Sequence, residues 1–298
     1  MNWILFSLLA ALFQTIRTAL QKSLKKKLPD NLINWARYAF GLPFIIIYVI
    51  FLLAIGHNLP QINGQFLIFC FFAGIFQIVG TASLLNLFGK RNFTIGTIYA
   101  KTETIQTAFF GLILFGESIS TAGFIGLIIG LFGVLLISLI EDKITLKNLI
   151  KGFLNKTAII GIFIGFSFAM SGLLVREATL TLNENYLINS AFTLLIIITM
   201  QFVILGSKIM IHNKNELKKI TKYWKSVTLI GLTSALGSIG WFSAFALTSA
   251  TYVKIIGQAE LLFSLIITHH FFREKINRIE IWGMALIMLS IILLIIFQ

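Results

Sequence analysis

Charge is scarce in this chain, and acidic residues are the scarcest charged type. Charged residues make up 12% of the 298 positions and include only 11 Asp and Glu, whereas hydrophobic residues make up 57%. A soluble domain of this length carries about twice that share of charge. The composition therefore excludes an ordinary water-soluble domain and indicates an integral membrane protein.

The chain also lacks the residue patterns on which most enzymes depend. Its single cysteine, Cys70, lies in an apolar run, cannot form an intrachain disulfide and is interpreted as a small buried hydrophobe. The sequence contains no phosphate-binding loop, no metal-ligand cluster and no pattern of nucleophile and base. We therefore expect no cofactor, no metal ion and no enzymatic activity.

Basic residues are in excess, with a formal net charge of +13. In a soluble protein this excess would indicate nucleic acid as the partner. Here the basic residues form short clusters between apolar runs, which is the arrangement that flanks membrane helices. The predicted partners are therefore the lipid bilayer and a small-molecule substrate, and not nucleic acid.

Ten apolar runs approach the roughly 20 residues that a helix needs to cross a bilayer. The runs lack the two-residue alternation of barrel strands, so helices are expected. The predicted fold is an all-α integral membrane protein with ten transmembrane helices. The predicted spans are 2–21, 32–55, 65–88, 93–115, 121–140, 157–176, 185–206, 226–248, 251–272 and 279–297.

Lysine and arginine between the spans lie almost entirely on one side of them. The odd-numbered connections contain the basic clusters, including those at 22–27 and 208–225, whereas the even-numbered connections and both termini contain only Arg176. Basic loops remain on the cytoplasmic side of a membrane. This distribution predicts a multi-pass protein of the inner (cytoplasmic) membrane with both termini outside.

The two halves of the chain match at a constant shift of 157 residues. Glu103 and Glu117 in the first half correspond to Glu260 and Glu274 in the second. Glycines match at the same shift: Gly74 with Gly231, Gly80 with Gly237, and Gly126 with Gly283. Five helices per half is an odd number, so the second half enters the membrane from the opposite side. The sequence predicts two inverted five-helix repeats, 1–150 and 151–298, with a substrate site where they meet.

Over nearly its whole length the chain resembles the drug/metabolite transporter superfamily, specifically its EamA-like ten-helix branch. The resemblance rests on the five-plus-five plan and on the junctions Phe-Gly-Glu at 115–117 and Phe-Arg-Glu at 272–274. The Glu-Pro pair that is frequent in the family is Glu-Thr at 103–104 and Glu-Leu at 260–261. The resemblance implies a transporter with both termini in the cytoplasm, whereas the basic residues predict the reverse.

Glu103 and Glu260 lie near the middle of their predicted helices, roughly 15 Å deep at 1.5 Å per residue. A charge at that depth costs about 2.5–3.5 kcal/mol. These carboxyl groups either accept protons and bind a cationic group, or form a fixed structural ion pair or hydrogen bond. Lys101 points about 200° away from Glu103, so it faces either a substrate carboxylate or an acidic neighbour such as Glu260.

Further polar residues inside the spans are candidates for a substrate cavity. Gln14, Arg17 and Gln21 form one stripe on the first helix, and Arg17 suits a carboxylate or phosphate. Arg17 could equally extend to lipid headgroups, and this second interpretation is favoured for Arg37. The remaining candidates are Gln77, Trp241, Lys254 and Gln258, of which the last occupies the repeat position of Lys101.

Other charged residues lie at predicted helix ends. Glu117 and Glu274 are expected to cap the following helix or to pair with a nearby basic residue. Arg176 and Glu177 are interpreted as a pair at the outer interface or as part of a gate.

These features predict a secondary active transporter that moves a small polar or zwitterionic metabolite, such as an amino acid-like compound, by alternating access. Mixed charges at mid-membrane suit a zwitterion better than a cationic drug. Proton coupling would use Glu103 and Glu260. The alternatives are an uncoupled uniporter or exchanger and a non-transporting membrane scaffold. The sequence leaves monomer and homodimer open.

Overall fold

The computed structural model describes residues 2–25, 27–87, 100–141, 156–212, 217–272 and 278–297. These residues form helices, turns and loops, with no strand among them. In chain order the helices are α1 (Asn2–Leu24), α2 (Asp30–Ala39), α3 (Leu42–Ala54), α4 (Gly64–Leu87), α5 (Glu103–Phe115), α6 (Thr121–Glu141), α7 (Lys156–Leu180), α8 (Tyr186–His212), α9 (Leu217–Lys222), α10 (Trp224–Leu247), α11 (Ala250–Gly257), α12 (Ala259–Phe272) and α13 (Arg278–Phe297).

Six stretches of the described helices are long and apolar enough to cross a membrane. They are Asn2–Leu24, Asp30–Ala54, Gly64–Leu87, Ala158–Leu180, Tyr186–Ile211 and Trp224–Leu247. Three apolar stretches in α5, α6 and α13 are shorter. Large apolar side chains such as Ile47 and Phe132 are exposed on the outside of the bundle, as expected where lipid replaces water. The chain is therefore a multi-pass, all-helical membrane protein, and the count of ten spans stays a prediction.

The predicted span 32–55 consists of two helices, α2 and α3, because proline interrupts it. Pro43 lies in the first turn of α3 and has no N–H to donate to the carbonyl of Ala39. At this junction the backbone of Phe40 packs directly on Gly231 of α10, where a Cβ atom would have no room. The kink thus brings α2 and α3 into close contact with the second half of the chain.

The most extensive helix pairings each join one half of the chain to the other. α1 packs along α10, α4 packs along α7, and α6 packs along α13. Since α1 corresponds to α7 and α4 to α10 in the predicted repeat, the first two pairings are equivalents. The halves are therefore interleaved, and their contact surface runs through the centre of the bundle.

Candidate functional site

The helix that carries Glu260 is broken just before it. α11 ends at Gly257 and α12 begins at Ala259, so the predicted span 251–272 is two helices. At the break, the backbone N–H of Gln258 donates to the carbonyl of Ile255 at 3.2 Å, three residues earlier instead of four. Glu260 consequently lies in the first turn of α12, where the helix dipole favours a negative charge.

The first half has a break at the equivalent position. Lys101 and Thr102 form a turn directly before α5. Lys101 and Gln258 are related by the repeat shift of 157 residues, so the two breaks coincide in the repeat. Glu103 lies in the first turn of α5, as Glu260 does in α12. Discontinuous helices of this kind place exposed half-helix ends at mid-membrane, where they bind charged groups.

Each of these glutamates forms an ion pair with a lysine of the opposite half. The Nζ atom of Lys101 lies 3.3 Å from the Oε2 atom of Glu260. The Nζ atom of Lys254 pairs with the Oε1 atom of Glu103. The four side chains are 15–28% exposed, so solvent or a ligand can reach both pairs. The two halves are thus connected by two crossed ion pairs.

Glu260 has a second side-chain partner, Gln14 of α1. The Nε2 atom of Gln14 donates to Oε2 of Glu260 at 3.1 Å. The Oε1 atom of Gln14 in turn accepts a hydrogen bond from the indole N–H of Trp241 at 2.9 Å. The hydroxyl of Thr15, which lies 2.9 Å from the Ala11 carbonyl in its own helix, is also 3.2 Å from the backbone carbonyl of Glu260 and can donate its proton to either. This network holds the start of α12 against α1 and α10. The sequence analysis did not single out Thr15 as a member of it.

Lys254 lies over aromatic rings as well as beside Glu103. Its Nζ atom is 5.0 Å from the ring centroid of Trp241 and 5.5 Å from that of Phe245. A cation over an aromatic face is stabilised by about 0.5–2 kcal/mol, depending on desolvation. Trp241 therefore contacts both networks, through its N–H to Gln14 and through its ring to Lys254.

Two arginines are buried near these networks. Arg37 is 4% exposed, donates through Nη1 to the Thr81 hydroxyl at 3.1 Å and lies over the Tyr38 ring at 5.0 Å. The interpretation that Arg37 extends to headgroups is therefore wrong, since its side chain turns inward. Arg17 is 8% exposed, and its Nε atom has no hydrogen-bond partner among the residues that the structure describes.

These side chains line a cavity of about 130 Å³ between the two halves. Eight of the nine predicted site residues line it: Gln14, Arg17, Gln77, Lys101, Glu103, Trp241, Lys254 and Glu260. The apolar part of the wall includes Phe168, Phe242 and Phe245. Four basic residues line the cavity: Arg17, Arg37, Lys101 and Lys254.

Gln258 is the predicted site residue that does not line the cavity. Its amide packs against Gly130 of α6 and is buried, with neither amide atom hydrogen-bonded to a described residue. Gln258 is therefore not among the residues that line this cavity, and a role for it in transport stays a prediction.

Gln77 is held in the cavity wall by a residue that the sequence analysis did not single out. The Nε2 atom of Gln201 in α8 donates to Oε1 of Gln77 at 2.8 Å and to the carbonyl of Gly74 at 3.2 Å. Gln201 is 1% exposed. Its position near the end of an apolar run was the available signal, because a polar side chain inside a span must find a partner within the protein.

A second charged cluster, the Arg176 cluster, consists of Arg176, Glu117 and the backbone around α11. The Nε atom of Arg176 lies 2.8 Å from Oε1 of Glu117, and its Nη1 donates to the carbonyls of Phe245 at 2.7 Å and Thr248 at 2.5 Å. Glu117 also accepts from the backbone N–H of Ala250 at 3.1 Å.

The Arg176 cluster alters two expectations from the sequence. Glu117 both pairs and caps, but it caps α11 in the other half instead of the helix that follows it. Arg176 pairs with Glu117, although Glu177 is its neighbour in sequence. Glu274, the repeat equivalent of Glu117, lies outside the described residues.

The two halves match one family model separately. The model is described as the EamA-like transporter family, and it matches residues 1–139 and again residues 155–296. The chain belongs to the EamA-like transporter family. This family is part of the drug/metabolite transporter superfamily, so the resemblance seen in the sequence is confirmed. Membership assigns the protein to a family of membrane transporters.

The fold of this EamA-like transporter is also found in a solved structure described as "Crystal structure of protein". The match has a TM-score of 0.75 and 13% sequence identity, and it covers 100% of this chain and 99% of the other. A likeness at this identity concerns the fold alone. A search of curated proteins found no match.

Proposed function

We propose that this EamA-like transporter is a secondary active transporter that moves a small polar or zwitterionic metabolite by alternating access. The proposal places it in the cytoplasmic membrane, with inverted repeats at 1–150 and 151–298 and both termini outside. Labelling of either terminus by a membrane-impermeant reagent tests the orientation. The observation that carries the function is the cavity between the halves, whose crossed ion pairs lie at two equivalent helix breaks.

The crossed pairs provide a way to bind a substrate without leaving charges unpaired. A zwitterion can place its carboxylate beside Lys101 or Lys254 and its ammonium beside Glu103 or Glu260, replacing protein partners with its own groups. A buried charge is costly unless it is paired or hydrogen-bonded, so an exchange of partners is cheaper than the loss of one. Because each pair joins the two halves, such an exchange of partners also loosens the contact between them, which alternating access requires.

Proton coupling in this proposal acts at the glutamates. Glu103 has one side-chain partner among the described residues, Lys254. In this proposal, uptake of a proton by Glu103 removes the charge that holds Lys254 and frees that lysine to bind substrate while it keeps its contacts with Trp241 and Phe245. Alternation between a protonated and a lysine-paired Glu103 would thus connect proton movement to the state of the cavity.

The test uses purified protein in liposomes that enclose a pH-sensitive dye, with an imposed proton gradient and a panel of amino acids and related metabolites. We expect substrate-dependent proton movement in the wild type and its loss in Glu103→Gln and Glu260→Gln. The matched control is Glu184→Gln, because Glu184 is exposed and remote from the cavity. Size-exclusion profiles establish that each variant is folded.

Other results of this experiment would replace the proposal. Substrate flux without proton movement that survives both cavity substitutions would identify a uniporter or exchanger and leave the glutamates a structural role. Absence of flux for the whole panel in folded wild type would favour a non-transporting scaffold.

A further inference from the structure

The described residues that line the cavity carry unequal numbers of positive and negative charges. Two lysines and two arginines face the cavity, against two glutamates. The lysines and glutamates form the two crossed ion pairs. The excess positive charge therefore belongs to Arg17 and Arg37.

Neither arginine is neutralised by an adjacent carboxylate within the described part of the chain. Arg37 donates to a neutral hydroxyl, that of Thr81. Arg17 is more than nine-tenths buried and lines the cavity, and its Nε atom lacks a hydrogen-bond acceptor. Arg37 repels it electrostatically, and Glu260 attracts it. A buried guanidinium that lacks both an acceptor for one N–H and a carboxylate partner is costly, and because the Arg17 side chain lines the cavity, an anion that enters there can neutralise it.

The position of Arg17 on α1 places it near the ion pair between Lys101 and Glu260. Arg17 follows Gln14 by three residues, so the two lie about one turn apart on the same face, a rise of about 4.5 Å. Gln14 is bonded to Glu260. A small ligand bound to Arg17 therefore lies close to the network of Gln14, Glu260 and Lys101, which lines the same cavity.

We propose that Arg17 and Arg37 form an oxyanion subsite, and that the substrate is a small organic anion whose carboxylate or phosphate group binds there. The guanidinium group presents parallel N–H donors that match two oxygens of such a group. The proposal rests on the transport function proposed above, but within the class of small polar metabolites it selects an anion in place of a zwitterion, since net-neutral and cationic compounds leave the positive excess of the cavity uncompensated.

Three compounds of equal chain length test the charge preference. Succinate, γ-aminobutyrate and putrescine each have four carbons and a charged group at both ends, and they differ in net charge from negative through neutral to positive. Inorganic phosphate tests the subsite alone, and short-chain phosphatidylglycerol tests a lipid headgroup as the source of the oxyanion. Binding is measured on the purified full chain in detergent by equilibrium dialysis and by the ligand-induced shift in Tm.

We expect succinate and phosphate to raise the Tm of the wild type, γ-aminobutyrate to have a weaker effect and putrescine to have none. Arg17→Gln and Arg37→Gln should each weaken succinate binding about tenfold or more, because a charge-assisted hydrogen bond is lost. Arg17→Lys should bind succinate more tightly than Arg17→Gln but less tightly than the wild type, since lysine keeps the positive charge but lacks the paired N–H donors of arginine. Arg278→Gln, the same change at an exposed arginine, should bind as the wild type does.

Several results would overturn the subsite. The subsite would be rejected if succinate and phosphate bound equally well to the wild type and to Arg17→Gln, or if they bound to neither protein. Preference for putrescine would also reject it, and an increase in Tm with phosphatidylglycerol alone would identify the bound oxyanion as a lipid headgroup.

Two further results separate the subsite from the transport function. Anion binding that depends on Arg17 but occurs without flux in liposomes would retain the subsite and reject transport. Flux of a neutral or cationic compound that is unaffected by Arg17→Gln would reject the subsite and retain transport.

Discussion

The two helix breaks occupy equivalent positions in the repeat, but their glutamates have different surroundings. Glu260 is held by Lys101 and by Gln14, which is itself fixed by Trp241. Glu103 is held by Lys254 alone within the described structure, and that lysine also lies over aromatic rings. The two halves therefore have a glutamate at the same repeat position, but the residues that bind the two carboxylates differ.

This difference suggests a division of roles between the two halves. A change of state at Glu103 breaks one ion pair, and the released lysine still has Trp241 and Phe245 to contact. A change at Glu260 disrupts an ion pair and a hydrogen bond, and disturbs a third contact, from Trp241 to Gln14. We therefore expect Glu103 to be the more easily switched carboxylate and Glu260 the more structural one.

Replacing each glutamate with alanine gives the largest expected effect. Glu260→Ala leaves Lys101 unpaired and Gln14 without its acceptor, so it should lower the free energy of unfolding by about 3 kcal/mol. Glu103→Ala should cost about 1 kcal/mol, because Lys254 keeps its aromatic contacts. Unfolding by SDS in mixed micelles measures both, with the exposed Glu184→Ala as control. Equal losses at the two sites would contradict the proposed division.

A double-mutant cycle tests the crossed pairing with an effect of intermediate size. Lys101→Met and Glu260→Gln should show a coupling energy of about 1–2 kcal/mol, since the two side chains form one ion pair. Lys101→Met and Glu103→Gln should add within about 0.5 kcal/mol, although these residues are only two positions apart. The same unfolding assay measures both cycles. Coupling in the second cycle and not in the first would mean that the pairs do not cross.

The smallest effect is expected from Gln14→Leu, a substitution that leaves Glu260 with a single lysine partner, as Glu103 has. Gln14→Leu removes the second partner of Glu260 and should cost about 1 kcal/mol of stability, while it shifts the tryptophan emission because the Trp241 N–H loses its acceptor. Trp241→Phe is the matched control, since it keeps an aromatic ring near Lys254 but cannot donate to Gln14. An unchanged emission spectrum in Gln14→Leu would exclude the Trp241 contact.

The composition of the cavity was largely predictable from the sequence, for a physical reason. A charge or amide inside an apolar span is costly in lipid, so residues such as Glu103, Lys101 and Arg17 had to face the protein interior. The same argument applied to Arg37 and Gln201 would have found them as well. Family membership and the related halves were predictable from the matching glutamates and glycines.

The arrangement of partners was not predictable, because it depends on how helices rotate and where they break. Gln258 shares a predicted helix face with Lys254, yet its amide packs against Gly130 and does not line the cavity. The choice of Lys254 for Glu103 depends on the approach of α11 to α5, which apolar periodicity does not specify. The division of span 32–55, in contrast, was visible in the sequence as Pro43.

The crossing of both ion pairs between the halves has a consequence for how the chain is made. Lys101 and Glu103 enter the membrane before α11 and α12 have been synthesised, and each unpaired charge costs about 2.5–3.5 kcal/mol there. In the structure, the partners of Lys101 and Glu103 both lie in the other half, so the early helices remain an incomplete assembly until α11 and α12 are synthesised. The final helices therefore complete the fold as well as the cavity, and a truncated chain should be recognised by membrane quality control as unfinished.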